Sequence, residues 1–206
     1  MTDNSDDAEI ARHLREEIAR SRGYADFFES PLDSTIEERH IAQLVCNFLV
    51  HRGDIRAGQV SALDNDPPDA VCVTGDGLRI GIEVTELVDA EMVEKGRHLK
   101  KTGLEPTHLM AIWTPESIAQ ELSRRVAAKD AKLAKAAGAY HRILLAIYTD
   151  EMMIDQATAQ SAAVLCAASA KWISEVFLVL SYHPHTDQNV YPNKHAIISI
   201  PISRAG

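Results

Sequence analysis

The sequence predicts helices flanking a central mixed β-sheet, an α/β or α+β sandwich. Three observations predict it. The first fifty residues carry apolar side chains at helical spacing. The period then shifts to that of strands, with a Gly-Asp-Gly turn between two of them. The second half alternates helical stretches with short, almost wholly apolar runs. Of the 206 residues, 46% are hydrophobic and 25% charged, which excludes disordered and collagen-like chains. Aromatics are only 5%, a poor basis for a single-strand binder that stacks bases.

Each element has a local reason. Ser5–Arg22 is expected as a first helix, with Ile10, Leu14 and Ile18 on one face and Ser5 or Asp6 as its cap. Pro31 precedes a second helix, where Ser34 and Glu37 make a capping box. Its apolar face is Ile41, Leu44, Val45, Phe48 and Leu49, and Gly53 closes it. Gln59–Leu63, Ala70–Thr74 and Leu78–Leu87 follow as an antiparallel meander, with Asp64-Asn-Asp-Pro-Pro and Gly75-Asp76-Gly77 as its turns. A helix is expected around Glu91–Lys101, and another from Thr114-Pro115-Glu116 to about Ala137, ended by Gly138. Arg142–Tyr148 and Glu175–Tyr182 read as buried strands, with an alanine-rich helix over Asp155–Ala170 between them. Ala196–Ile202 is a terminal strand, and Pro201 puts it at an edge or an end. One domain over residues 1–206 is the simplest organisation, with residues 1–33 a helical extension.

No apolar run approaches bilayer length, and the acidic start MTDNSDDAEI lacks a signal-peptide core, so a cytoplasmic protein without membrane contact is expected. Cys46, Cys72 and Cys166 are scattered and lie in apolar runs without zinc-ligand spacing, which suits buried free thiols in a reducing compartment. His183, His185 and Asp187 read as a polar loop after a strand, and no nucleophile elbow is present. Net charge is −9, yet residues 91–142 hold ten Lys and Arg against six Asp and Glu. A basic stripe of that kind can contact phosphates on an acidic protein, although a solvated helix face has the same composition.

The segment richest in chemistry is Asp64–Glu86. Asp69 follows two prolines and opens a strand, and Glu83 lies on the next strand. Each is seven residues from Asp76 in the turn, so the two can face one another across the hairpin. Glu83 and Thr85 share a face, and Val84 points the other way. Two adjacent carboxylates repel, and a divalent cation relieves that repulsion. The competing reading is a surface Asp and Glu on an ordinary hairpin.

Pro68-Asp69 followed across the hairpin by Glu83-Val84-Thr85 resembles the motif of the PD-(D/E)XK nuclease superfamily, with threonine in place of its lysine. In architecture the resemblance covers roughly residues 34–182. It implies a restriction-endonuclease-like three-layer α/β core, a central mixed sheet flanked by helices, and Mg²⁺- or Mn²⁺-dependent hydrolysis of DNA. It further implies that Asp69, Glu83 and the Val84 carbonyl bind the cation, and that Glu37 or Glu38 joins as a further ligand or acts through water. Thr85 would hydrogen-bond the water or a phosphate oxygen. The family lysine positions or activates the attacking water, a charge threonine cannot supply. Some relatives bring a lysine from another element, and Lys95, Lys100 and Lys129 are the substitutes on offer. Lys95, Lys100, Lys101, Arg124 and Lys129 would grip the DNA backbone. Double-strand cutters of this kind commonly pair, so a homodimer is the analogous assembly. A catalytically degenerate fold that binds nucleic acid or protein is the alternative, and Thr85 is the residue that favours it.

Overall fold

A computed structural model of the chain describes residues 24–25, 34–63, 67–103, 109–181 and 196–205. The expected first helix Ser5–Arg22, most of the 1–33 extension, Asp64 to Asp66 of the first turn, and His183, His185 and Asp187 lie outside the described residues.

Helix α1, Ser34–Arg52, leads into the sheet. Its buried face is Ile41, Ala42, Leu44, Val45, Cys46 and Leu49; of the predicted stripe, Phe48 is only half-buried and packs at the rim of the same cluster. Gly53 ends it at φ +85°, a conformation that suits glycine, and its amide donates to the Val50 carbonyl. Strands β1 (Gly58–Ala62), β2 (Ala70–Thr74) and β3 (Arg79–Glu86) form the expected antiparallel meander. The β2–β3 turn is closed by the Gly77 amide donating to Thr74 O at 2.9 Å, with Gly77 at φ +83°. The two expected helices follow, α2 (Ala90–Lys101) and α3 (Pro115–Leu133). Asp89 caps α2 by accepting from the Met92 amide, and Thr114 with Ser117 forms a capping box ahead of α3. Strand β4 (Arg142–Thr149), helix α4 (Gln156–Leu165), β5 (Ser169–Ala170), β6 (Ile173–Leu180), β7 (Ala196–Ile200) and β8 (Ser203–Arg204) complete the order.

Six strands make one mixed sheet in the order β1-β2-β3-β4-β6-β7. β3, β4 and β6 run parallel, and the flanking pairs are antiparallel. Among the described residues β7 lies at an edge, as Pro201 implied. Side chains alternate across the sheet and divide the core into two layers. Ile80, Ile82, Val84, Leu144, Ala146 and Phe177 pack under α1. Ile143, Leu145, Ile147, Val176 and Leu178 pack under α3 and α4. The result is the expected α/β core of three layers. Helix α2 packs separately, with Val93 against Tyr24 and Ala111.

The alanine-rich helix is shorter than its composition predicts. It stops at Leu165, and Cys166 turns extended. Ser169–Ala170 then pairs with Ser203–Arg204, and the Ser203 amide donates to the Ala168 carbonyl at 3.0 Å. A long-range strand pairing thus overrides local helix propensity.

Asp130 ties α3 to the sheet. Its carboxylate accepts from the amides of Lys171 at 2.9 Å, Trp172 at 2.8 Å and Ile173 at 2.9 Å. Three amides at the entry to β6 are satisfied by one side chain, so α3 is fixed in both register and rotation. Asp130→Ala is expected to lower the unfolding free energy by about 2 kcal/mol, the scale of losing charge-assisted bonds to amides. Urea unfolding checks this; a change of a few tenths would leave the tether without energetic weight.

Candidate active site

Pro68 packs onto β3 where there is no side chain. A Cβ built on Gly81 would come within 3.0 Å of Pro68 Cγ and 3.2 Å of Tyr140 Cγ, so glycine makes room for the ring. This contact seats the residue that follows, Asp69. Ala70 pairs with Ile82 in the hairpin register, so Asp69 stands opposite Glu83 one rung further on. The backbone of Asp69 is held on the β1 side, where its carbonyl accepts from the Leu63 amide at 2.9 Å. Its Oδ2 accepts from the Val84 amide at 2.6 Å. The side chain thus takes up the β3 amide next to Glu83, beyond the last paired rung of β2.

Glu83 sits mid-sheet, opposite Leu145 of β4, and is wholly buried. That excludes a surface pair on an ordinary hairpin. A carboxylate in this position needs compensation. Lys129 supplies it: its Nζ lies 2.6 Å from Glu83 Oε1 and 3.3 Å from the Val84 carbonyl oxygen. Lys132, one turn on, reaches the same Oε1 at 3.5 Å. Burial pushes the Glu83 carboxyl above the ordinary glutamate range, the Lys129 hydrogen bond pulls it down, and the Asp69 charge pushes it up again, leaving it raised. The opposing effects place Asp69, Glu83 and Lys129 in one electrostatic unit.

Of the lysines offered by the sequence, the structure brings Lys129 to Glu83. Lys95 instead pairs with Glu91 on its own helix, at 2.7 Å. Lys100 and the exposed Lys101 end the same helix, which packs in a different apolar cluster. Arg124 is exposed and bonded to Glu121 at 2.9 Å, and Arg125 shares that glutamate. Much of the basic stripe is therefore balanced by neighbouring acids. Glu37 and Glu38 lie on α1, which covers the sheet face opposite Glu83. Among the described residues no group of three or more His, Cys, Asp or Glu side chains converges as a metal cluster, so neither glutamate makes a third carboxylate with Asp69 and Glu83. Thr85 is half-buried and shares the Glu83 face.

Sequence reasoning left Lys129 as one of three substitutes, though a sharper signal was present. Ile118, Leu122, Val126 and Leu133 are the buried stripe of α3, and Lys129 falls within that stripe between Val126 and Leu133. A lysine on the inward face of an amphipathic helix needs an acid in the layer below.

Glu83 Oε2 is buried and has no hydrogen-bond partner. An orphaned carboxylate oxygen, a second carboxylate on the adjacent strand and the Val84 carbonyl form an all-oxygen set, which suits a hard divalent cation such as Mg²⁺ or Mn²⁺. Comparison with family models, curated sequences and solved structures finds no match to this chain.

Two predictions follow from the buried pair. Lys129→Ala is expected to cost about 3 kcal/mol at neutral pH, because it strands a buried charge, and less on acidification, as Glu83 takes up a proton. Chemical denaturation at each pH checks it; an unchanged midpoint would contradict it. Because the folded-state pKa of Glu83 is raised, the folded chain binds more protons than the unfolded one between the two values. Stability therefore falls as pH rises through that window. Glu83→Gln is expected to flatten this part of the profile; an unaltered slope would assign it to other groups.

Proposed function

We propose that this protein hydrolyses phosphodiester bonds in DNA, using a divalent cation held by Asp69, Glu83 and the Val84 carbonyl. The single observation that supports this most is the placement of Lys129 Nζ 2.6 Å from Glu83, opposite Asp69 in the hairpin register. Two carboxylates and a lysine then occupy one spot, the residue types that the resemblance to PD-(D/E)XK nucleases implies, with the lysine carried by α3 in place of Thr85. A cation bound there would supply Lewis-acid charge to the scissile phosphate and ease deprotonation of the attacking water.

The residues of the chain divide the remaining work. Asp69 is oriented by the Val84 amide, so its carboxylate needs no reorganisation when charge arrives. Glu83 keeps one desolvated oxygen without a hydrogen-bond partner. The Lys129 ammonium offers donors to the attacking water or a non-bridging phosphate oxygen, where negative charge grows in the transition state. The Thr85 hydroxyl hydrogen-bonds the same groups from the adjacent position on β3.

One observation favours a second reading. Asp69 is already bonded to an amide, and Glu83 is already countered by two lysines. Acids whose charge is already countered within the protein suit a degenerate nuclease fold that binds DNA without cutting it.

Cleavage separates the two. Supercoiled plasmid is expected to be nicked or cut with Mg²⁺ or Mn²⁺ and spared with chelator. Asp69→Asn, Glu83→Gln and Lys129→Ala should each lower the rate by about a hundredfold or more, with far-UV circular dichroism unchanged. Salt-dependent DNA binding without product would support the second reading.

A further inference from the structure

The α1 side of the sheet carries a second juxtaposition, independent of the carboxylate site. Cys46 of α1 and Cys72 of β2 are 26 residues apart in sequence, yet their sulfurs lie 2.9 Å from one another. Both are free thiols and wholly buried. A sulfur–sulfur bond is about 2.05 Å long, so closing it asks for a shift of less than about 1 Å. Gly58 of β1 lies against the pair, and a Cβ built there would overlap both sulfurs. Among the described residues β1 is an edge strand, with β2 as its only sheet neighbour. Strands in that position open locally at lower cost than central ones, which gives an oxidant a route to thiols that are closed off on average. The hydrogen bond from Cys46 favours a thiolate at Cys72, burial opposes it, and the Arg142 charge adds to the first effect.

We propose that Cys46 and Cys72 form a reversible dithiol–disulfide pair that cross-links α1 to β2. The oxidant is a small-molecule disulfide of the glutathione class. The Cys72 thiolate attacks one sulfur of that disulfide and expels one thiolate, leaving a mixed disulfide on Cys72. Cys46, deprotonated, attacks the Cys72 sulfur and expels the second thiolate. Two protein thiols are oxidised, the small disulfide is reduced to two thiols, and their two protons balance the change. The closed loop runs from Cys46 to Cys72 and encloses β1 and Asp69, so oxidation pins the strand that begins at the Asp69 carboxylate. Cys166, half-buried near Ser123 at 3.4 Å, serves as the internal control thiol.

The full-length reduced chain is refolded in a glutathione buffer, so that its thiols meet the oxidant before burial. Remaining thiols are then alkylated and peptides are mapped without reduction. The expected result is a Cys46–Cys72 cross-linked peptide that dithiothreitol releases, with Cys166 alkylated. The oxidised chain should melt about 5–10 °C above the reduced one, as a loop-closing bridge in a chain of this size does. Cys72→Ala should yield no such peptide. Free Cys46 and Cys72 after refolding, glutathione retained on either, a bridge to Cys166, or an oxidised form that melts no higher than the reduced one would each overturn the proposal.

Discussion

A buried negative charge governs this structure. Glu83 lies mid-sheet with none of its surface in water, and a carboxylate there is tolerated only with a cation brought to it. Lys129 is that cation, and delivering it constrains α3 in position and rotation. Asp130, next along the helix, holds the amides at the start of β6 and so fixes α3 from its other side. The capping box at Thr114 sets where the helix begins, and the apolar stripe from Ile118 to Leu133 sets which face turns inward. Three features therefore agree on one outcome, with Lys129 Nζ against Glu83.

Such an arrangement is poor economy if stability were its only purpose. An apolar pair of similar volume would fill the same space without desolvating two charges. Burial raises the proton affinity of Glu83 and leaves its Oε2 without a partner, the kind of perturbed carboxylate that gathers at functional sites. Asp69 completes the logic from the next strand, seated by Pro68 on Gly81 and oriented by the Val84 amide.

The parts of this picture governed by neighbours in sequence were legible. The Gly-Asp-Gly turn fixes the hairpin register, and that register places Asp69 opposite Glu83. Alternation puts Glu83 and Thr85 on one face, and apolar spacing marks α1 and α3. Information that depends on which layer covers which face was not legible. Glu37 and Glu38 sit on a helix of suitable type, but α1 covers the wrong side of the sheet. Lys129 is 46 residues from Glu83, and only the break in an apolar stripe betrays the contact. The end of α4 and the Cys46–Cys72 contact are set in the same way by pairings distant in sequence.

The proposed function requires Asp69 and Glu83 to share one cation, with Lys129 beside it. Anomalous diffraction from crystals soaked in Mn²⁺ tests it most directly. A manganese peak is expected between the Asp69 and Glu83 carboxylates, within coordination distance of both. Crystals with no peak there, or with manganese bound only at surface carboxylates elsewhere, would contradict it.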